Sequence, residues 1–161
     1  MPGKPYMLEP ELEGMPREQL RKRQTELLKN TVERCYAHME MYQEKFRQAG
    51  ITPADIRSLD DIKKLPFTNK EDLRLRYPMK GLLAVPDEDI VRVHMTSGTT
   101  GKPTLSPFTK NDLQLAYRLF ARGLAASGAN NRDVFQCLVG YGVFLGGRIV
   151  GPAVELIGMK H

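Results

Sequence analysis

Thr96-Ser97-Gly98-Thr99-Thr100-Gly101-Lys102-Pro103 is the stretch on which the reading of this 161-residue chain turns. Four hydroxyl side chains, two glycines and one lysine in eight residues give a loop whose backbone amides can turn inward around phosphate oxygens, while Lys102 adds a mobile cation. The six residues ahead of it, Ile90-Val91-Arg92-Val93-His94-Met95, are β-rich and alternate apolar and polar from Val91 onward. They predict a strand, with the loop leaving its end, where α/β sheets bind nucleotides. A Walker A loop needs four residues between its glycines and a Ser or Thr after the lysine. Here only Thr99 and Thr100 separate Gly98 from Gly101, and Pro103 offers neither hydroxyl nor N–H. An ordinary P-loop NTPase is excluded. His94 stands two residues before the loop and reads as scaffold, with no catalytic role.

Working outward, Leu105 lies in a second predicted strand, about Thr104 to Phe108, that closes a hairpin over the glycines. A helix is expected from about Asn111 to Ser127, with Leu113, Ala116, Tyr117, Phe120 and Leu124 on its buried face. After a loop of small and polar residues, Val134 to Val139 reads as a buried strand. Gly140-Tyr141-Gly142 then turns into a last helix that ends at Gly158. Strand, helix, strand, helix is the first half of a doubly wound α/β sheet.

Toward the N-terminus the pattern is helical. Residues 1 to 15, with three prolines and two glycines, predict an irregular arm, and helix begins near Pro16. Leu28, Val32, Cys35, Met39, Tyr42 and Phe46 recur at alternating spacings of four and three, which places them on one stripe of a helix or a broken helix pair. That stripe packs on its own domain or, alternatively, forms a seam with another subunit. Gly50 closes the pattern. Thr52-Pro53-Ala54-Asp55 and Ser58-Leu59-Asp60-Asp61 each open a short helix behind a capping residue, and Asn69-Lys70-Glu71-Asp72 opens another, closed by Tyr77-Pro78. The expected division is 1–89, an arm and helical region, and 90–161, the start of an α/β core, both parts of one truncated N-terminal domain.

Composition excludes several classes. Hydrophobic residues at 41% and charged residues at 27% belong to a globular protein. The longest uncharged run, Val134 to Gly147, contains four glycines and is shorter than a membrane span requires. The N-terminus lacks the apolar centre of a signal peptide, so a cytoplasmic location is expected. Cys35 and Cys137 are the only cysteines and read as buried thiols, with no zinc spacing and no metal site. The net charge is +5. Arg17, Arg21, Lys22 and Arg23 cluster among glutamates on a helical pattern without interleaved aromatics, so they read as a solvated face and not as a nucleic-acid surface.

The loop from Thr96 to Thr104 resembles the phosphate loop of the adenylate-forming superfamily of acyl-CoA synthetases, luciferases and peptide-synthetase adenylation domains. Its flanks narrow the resemblance. Leu65-Pro66-Phe67-Thr68-Asn69-Lys70-Glu71-Asp72-Leu73 and Arg76-Tyr77-Pro78 are similar to the linker that phenylacetate-CoA ligases carry before this loop. Phe108-Thr109-Lys110-Asn111-Asp112-Leu113 and Gly140-Tyr141-Gly142-Val143-Phe144-Leu145-Gly146-Gly147 are similar to the next two signatures of that family, in the same order. The resemblance runs from about Arg17 to the last residue.

The resemblance implies the start of an adenylation domain in an AMP-forming ligase of aromatic acid degradation. ATP and an aryl carboxylate give an acyl adenylate and pyrophosphate, and CoA thiolate then displaces AMP. It places the loop on the β and γ phosphates, with Thr96, Ser97, Thr99, Thr100 and Lys102 as side-chain contacts and Gly98 and Gly101 supplying backbone freedom. Lys102 is the catalytic candidate, stabilising charge on the leaving pyrophosphate. Tyr141, Gly142 and Phe144 are implied to line the aryl pocket. Pro152 departs from the family, whose final helix here is usually unbroken. ATP, magnesium and CoA are the implied cofactors, and the surplus positive charge would concentrate the two polyanions. A full ligase is well over twice as long, and its later part carries the adenine and magnesium motif, a ribose aspartate and a catalytic lysine, none of which occurs here. The chain is therefore expected to be an incomplete, inactive N-terminal portion. It is also expected to self-associate through the N-terminal helices or an exposed sheet edge. The rival from another class is a standalone interaction or assembly module.

Overall fold

A computed structural model describes residues 7–96, 103–138, 140, 142 and 145–161, with Leu145 described by its backbone alone. The described residues fall into two compact units. One is formed by residues 15–88 with 103–105, the other by residues 7–14, 89–96 and 106–161.

The first unit is helical. Helix α2 (Arg17–His38) is followed by α3 (Glu40–Ala49); α1, in the other unit, is described below. The two are separated only by Met39, whose extended backbone breaks the helix while its N–H still bonds the Cys35 carbonyl at 3.0 Å. The predicted stripe is carried across that break. Val32 and Phe46 bury against Ile56, with Leu28, Cys35, Tyr42 and Leu65 packed around them. Ile56 and Leu65 of the chain itself thus cover the stripe. Burial pushes the Cys35 thiol up, as removal from water disfavours the thiolate. Gly50 ends α3 at φ 64°, a left-handed conformation that glycine adopts without a Cβ clash.

Between Gly50 and residue 75 the chain advances by capped turns. Pro53–Asp55 and Leu59–Lys64 are 3-10 turns, and α4 spans Lys70–Arg74. The expected short helices at Thr52 and Ser58 are therefore of the tighter kind, which suits pieces this short. In each case an aspartate reaches back to its cap. The Asp55 carboxylate accepts from the Thr52 N–H and hydroxyl, both at 2.8 Å. Asp61 accepts from the Arg57 and Ser58 N–H groups at 3.0 and 2.8 Å, and Asp72 from the Asn69 N–H at 2.8 Å. These reciprocal bonds satisfy donors that a helix start leaves open.

The second unit holds the sheet and two long helices. Strand β1 (Ile90–Met95) pairs with β2 (Leu105–Thr109), and β2 runs directly into α5 (Lys110–Ala126). Helix α6 (Leu145–Ile157) packs on α5, with Pro152 inside it. Leu113, Tyr117, Ala121 and Ala125, spaced by four, form the buried face of α5. Leu113 and Tyr117 meet Ile149 of α6 in one cluster, and Ala121 meets Ala153 and Ile157 in another. The expected face is thus corrected by one position. Phe120 is 42% exposed, and Ala121 and Ala125 are buried in its place. Small residues are what a close crossing needs, since Ala121 faces a cluster that includes the fully buried Ala153.

Two further expectations are corrected. The N-terminal arm contains a helical turn, α1 (Pro10–Glu13), with proline at its tolerated first position. Leu8 packs on the Ala121, Ala153 and Ile157 cluster, and the Glu9 carboxylate pairs with Arg118 and Arg122 of α5. That anchorage, invisible in the arm's own composition, holds Leu8 and Glu9 in place. The buried strand expected from Val134 does not form among the described residues. Val134 makes a single parallel bridge to Lys160 and is 73% exposed, and Leu138 is 88% exposed. Apolar, β-rich sequence becomes a strand only where a neighbour pairs with it, and the described residues offer it only that bridge. The doubly wound sheet is accordingly represented by two strands among the described residues.

Candidate functional site

The predicted phosphate loop joins β1 to β2. Ser97, Gly98, Thr99, Thr100, Gly101 and Lys102 lie outside the described residues, as do Tyr141 and Phe144. Thr96 and Gly142 are described, and both are exposed. A Cβ built on Gly142 would meet no heavy atom within 4 Å. What the structure defines is the frame on which the loop is strung.

That frame follows from strand alternation, which puts Arg92 and His94 on one face of β1 and Val91 and Val93 on the other. Val91 and Val93 are exposed, whereas His94 is buried, with 3% of its surface exposed. Its ring stands perpendicular to that of Phe108 of β2, with centroids 5.5 Å apart and planes at 90°. This is a favoured aromatic geometry, the positive ring edge meeting a negative face. Two residues earlier, the Arg92 guanidinium donates from Nη1 to the Tyr117 hydroxyl of α5 at 3.1 Å. Phe108 itself packs on Leu113, Tyr117 and Ile149. The strand before the loop is therefore tied to the strand after it, and both to the α5–α6 core.

At its far end β2 is fixed by a capping box. The Thr109 hydroxyl accepts the Asp112 N–H at 3.1 Å, and the Asp112 carboxylate accepts the Thr109 N–H at 2.9 Å. Sequence reasoning named neither the Arg92–Tyr117 nor the His94–Phe108 pair. The two-residue period of β1 was the available signal, since it sets both side chains on one face.

The other unit contains a groove of about 470 Å³ lined by Glu40, Glu44, Lys45, Asp72, Arg76 and Lys80 among others. Its charges are largely spent on structure. Lys45 pairs with Asp72 at 2.9 Å and donates to the Phe67 carbonyl at 3.0 Å, and Arg76 pairs with Glu44. The Asn69 N–H and then Lys45 hold the Asp72 carboxyl below its ordinary range. Among the described residues no group of three or more His, Cys, Asp or Glu side chains could hold a metal ion, so none is assigned to magnesium. No helix among them is long and apolar enough to cross a membrane.

No protein-family model matches the chain. It is 46% identical over 153 residues to the phenylacetate-coenzyme A ligase of Thermus thermophilus, covering 95% of this chain and 34% of that protein. It is 43% identical over 141 residues to the phenylacetate-coenzyme A ligase of Escherichia coli K12, covering 88% of this chain and 32% of that one. Among solved structures, 2-hydroxyisobutyryl-CoA ligase in complex with 2-HIB-AMP and CoA matches with a TM-score of 0.79 and 28% identity. That match covers 94% of this chain and 33% of the ligase. The chain spans about a third of the length of the relatives it matches. Over nearly its whole length, it is homologous to the N-terminal portion of phenylacetate-coenzyme A ligases.

Proposed function

We propose that this chain is the N-terminal part of an AMP-forming arylacetate-CoA ligase, contributing the phosphate loop and one wall of the acyl pocket. The reaction has two steps. A carboxylate oxygen attacks the α phosphorus of ATP and expels pyrophosphate, and the CoA thiolate then attacks the acyl carbon and expels AMP. Charge accumulates on the leaving pyrophosphate as its bond to the α phosphorus breaks. Preorganised amides, hydroxyls and a cation at that place stabilise the transition state. Thr96, Ser97, Gly98, Thr99, Thr100, Gly101 and Lys102 take that role. Tyr141, Gly142 and Phe144 take the aryl group. Magnesium, when bound, neutralises phosphate charge, and its ligands belong to the family's later segment.

The observation that carries the proposal is the match itself. Relatives that share this sequence over about nine-tenths of the chain are ligases, and the loop stands directly after β1. A standalone interaction module is not favoured, because the named relatives are enzymes. The reading further places the protein in the cytoplasm, treats 1–89 and 90–161 as two parts of one domain, and allows self-association through the N-terminal helices or an exposed sheet edge.

The test is acyl-CoA formation from phenylacetate, ATP and CoA by the full-length gene product and by the 161-residue chain alone. Thioester from the full-length protein and none from the chain is the expected result. No thioester from the full-length protein with any arylacetate would overturn the proposal. In that protein Tyr141→Ala should raise the requirement for the aryl acid more than that for ATP, as steady-state constants for both would show. An equal loss would make Tyr141 a core aromatic.

A further inference from the structure

We infer that His94 is a positioning residue for nucleotide binding. Its buried imidazole, set perpendicular to the Phe108 ring, clasps the two strands beside the points where the phosphate loop leaves and returns. The inference rests on the function proposed above and goes beyond it, because His94 belongs to none of the motif residues.

Three observations carry it. His94 is the only polar or charged side chain among the described residues that is buried, so its place is set by packing and not by solvent. It lies two residues before Thr96, and its partner Phe108 lies four residues after Thr104, so one ring contact spans both ends of the loop. Phe108 in turn rests on Leu113, Tyr117 and Ile149, and Arg92 ties the same face of β1 to Tyr117. The opposite face of β1 has no such hold, since Val91 and Val93 are exposed. The side-chain contacts that hold the loop ends therefore lie on the His94 face. The backbone ladder keeps β1 and β2 paired, but loss of the ring contact would loosen them beside the loop, and a phosphate cradle displaced by an ångström loses much of its effect.

The contact that ties His94 to Phe108 is one ring against another in a confined space. Phenylalanine supplies that and asparagine does not. In the full-length protein, His94→Asn and Phe108→Leu should each raise the KM for ATP roughly tenfold while leaving the KM for the aryl acid unchanged. His94→Phe should keep the KM for ATP near the starting value. The second readout is independent of activity. In the 161-residue chain, amide exchange at Met95, Thr96, Thr104 and Leu105 should quicken in His94→Asn and Phe108→Leu, but not in His94→Phe. The exchange of the α5 amides should stay constant throughout, which separates a local shift from unfolding.

Unchanged amide exchange in His94→Asn would overturn the clasp whatever the kinetics show. Faster exchange without a rise in the KM for ATP would remove its role in nucleotide binding, as would an equal rise for both substrates. An unmodified protein that forms no acyl-CoA would defeat the proposed function, and with it the nucleotide role. The exchange result would then still decide whether the rings hold the strands together.

Discussion

Two stretches of this chain have similar composition and end differently. Ile90–Met95 and the run from Val134 to Leu138 are both β-rich, with apolar residues predominating. The first pairs with β2, supplied by residues close in sequence, and becomes a strand. The second makes one bridge to Lys160, with Val134 and Leu138 left largely in solvent. A strand is a property of a pair. Helices differ in this respect, because their hydrogen bonds close within the segment itself.

The comparison can be broken most forcefully at the platform beneath β2. Ile149 is buried under Phe108, so Ile149→Ala should cost roughly 2 to 5 kcal/mol through lost burial and the cavity left behind. Chemical denaturation of the 161-residue chain measures it. A cost near zero would mean that α6 does not support the sheet.

Overfilling the close crossing should do less. Ala121→Leu adds three carbons where none of the Ala121 surface is exposed, and a cost of about 1 to 3 kcal/mol is expected. Thermal unfolding would show it. If the variant is as stable as the parent, α5 and α6 do not pack closely there.

A third test sharpens the contrast from the helical side. Asp55, Asp61 and Asp72 are each held below the usual carboxylate range. For Asp55 the chief cause is the Thr52 N–H bond, for Asp61 the Lys64 ammonium and then the Ser58 N–H, and for Asp72 the Asn69 N–H. A carboxyl whose folded pKa is lowered contributes stability above its unfolded value, about 3.9, and loses it as pH falls through the folded value. The melting temperature should therefore drop as pH falls below about 4. A triple Asp→Asn variant should show a flatter acid limb. Parallel limbs would mean that the capping bonds do not set the acid response.

The smallest effect is expected at the unpaired stretch. Leu138→Ser should change stability by no more than about 0.5 kcal/mol, as for exposed positions generally. A loss of several kcal/mol by the same denaturation measurement would show that residue 138 is buried in solution and restore the strand.

The helical region was readable because its determinants are local. The stripe from Leu28 to Phe46, the close at Gly50 and the caps at Thr52, Ser58 and Asn69 each follow from residues within a few positions. The sequence also gave away β1, β2 and α5 to within about two residues of their ends. It placed Leu113 and Tyr117 on the buried face of α5 but missed the one-position shift to Ala121 and Ala125 further along. Phe120 is the more hydrophobic choice, but Ala121 wins because α6 comes too close for a ring, a fact lodged in another element. The arm failed for the same reason, since Glu9 is ordered by Arg118 and Arg122 more than a hundred residues away. At the candidate site most of the motif residues, 97–102, 141 and 144, lie outside the described residues, while the His94–Phe108 contact needed the strand pairing to be seen.

The central claim is that residues 96–102 bind the phosphates of ATP in an adenylating enzyme, and phenylacetate-dependent exchange of pyrophosphate into ATP tests it most directly. Measured on the full-length protein with saturating acid, Lys102→Ala should slow exchange by roughly 100- to 1,000-fold, the loss expected on removing a preorganised donor from developing negative charge. An exchange rate equal to that of the unmodified protein would contradict the account.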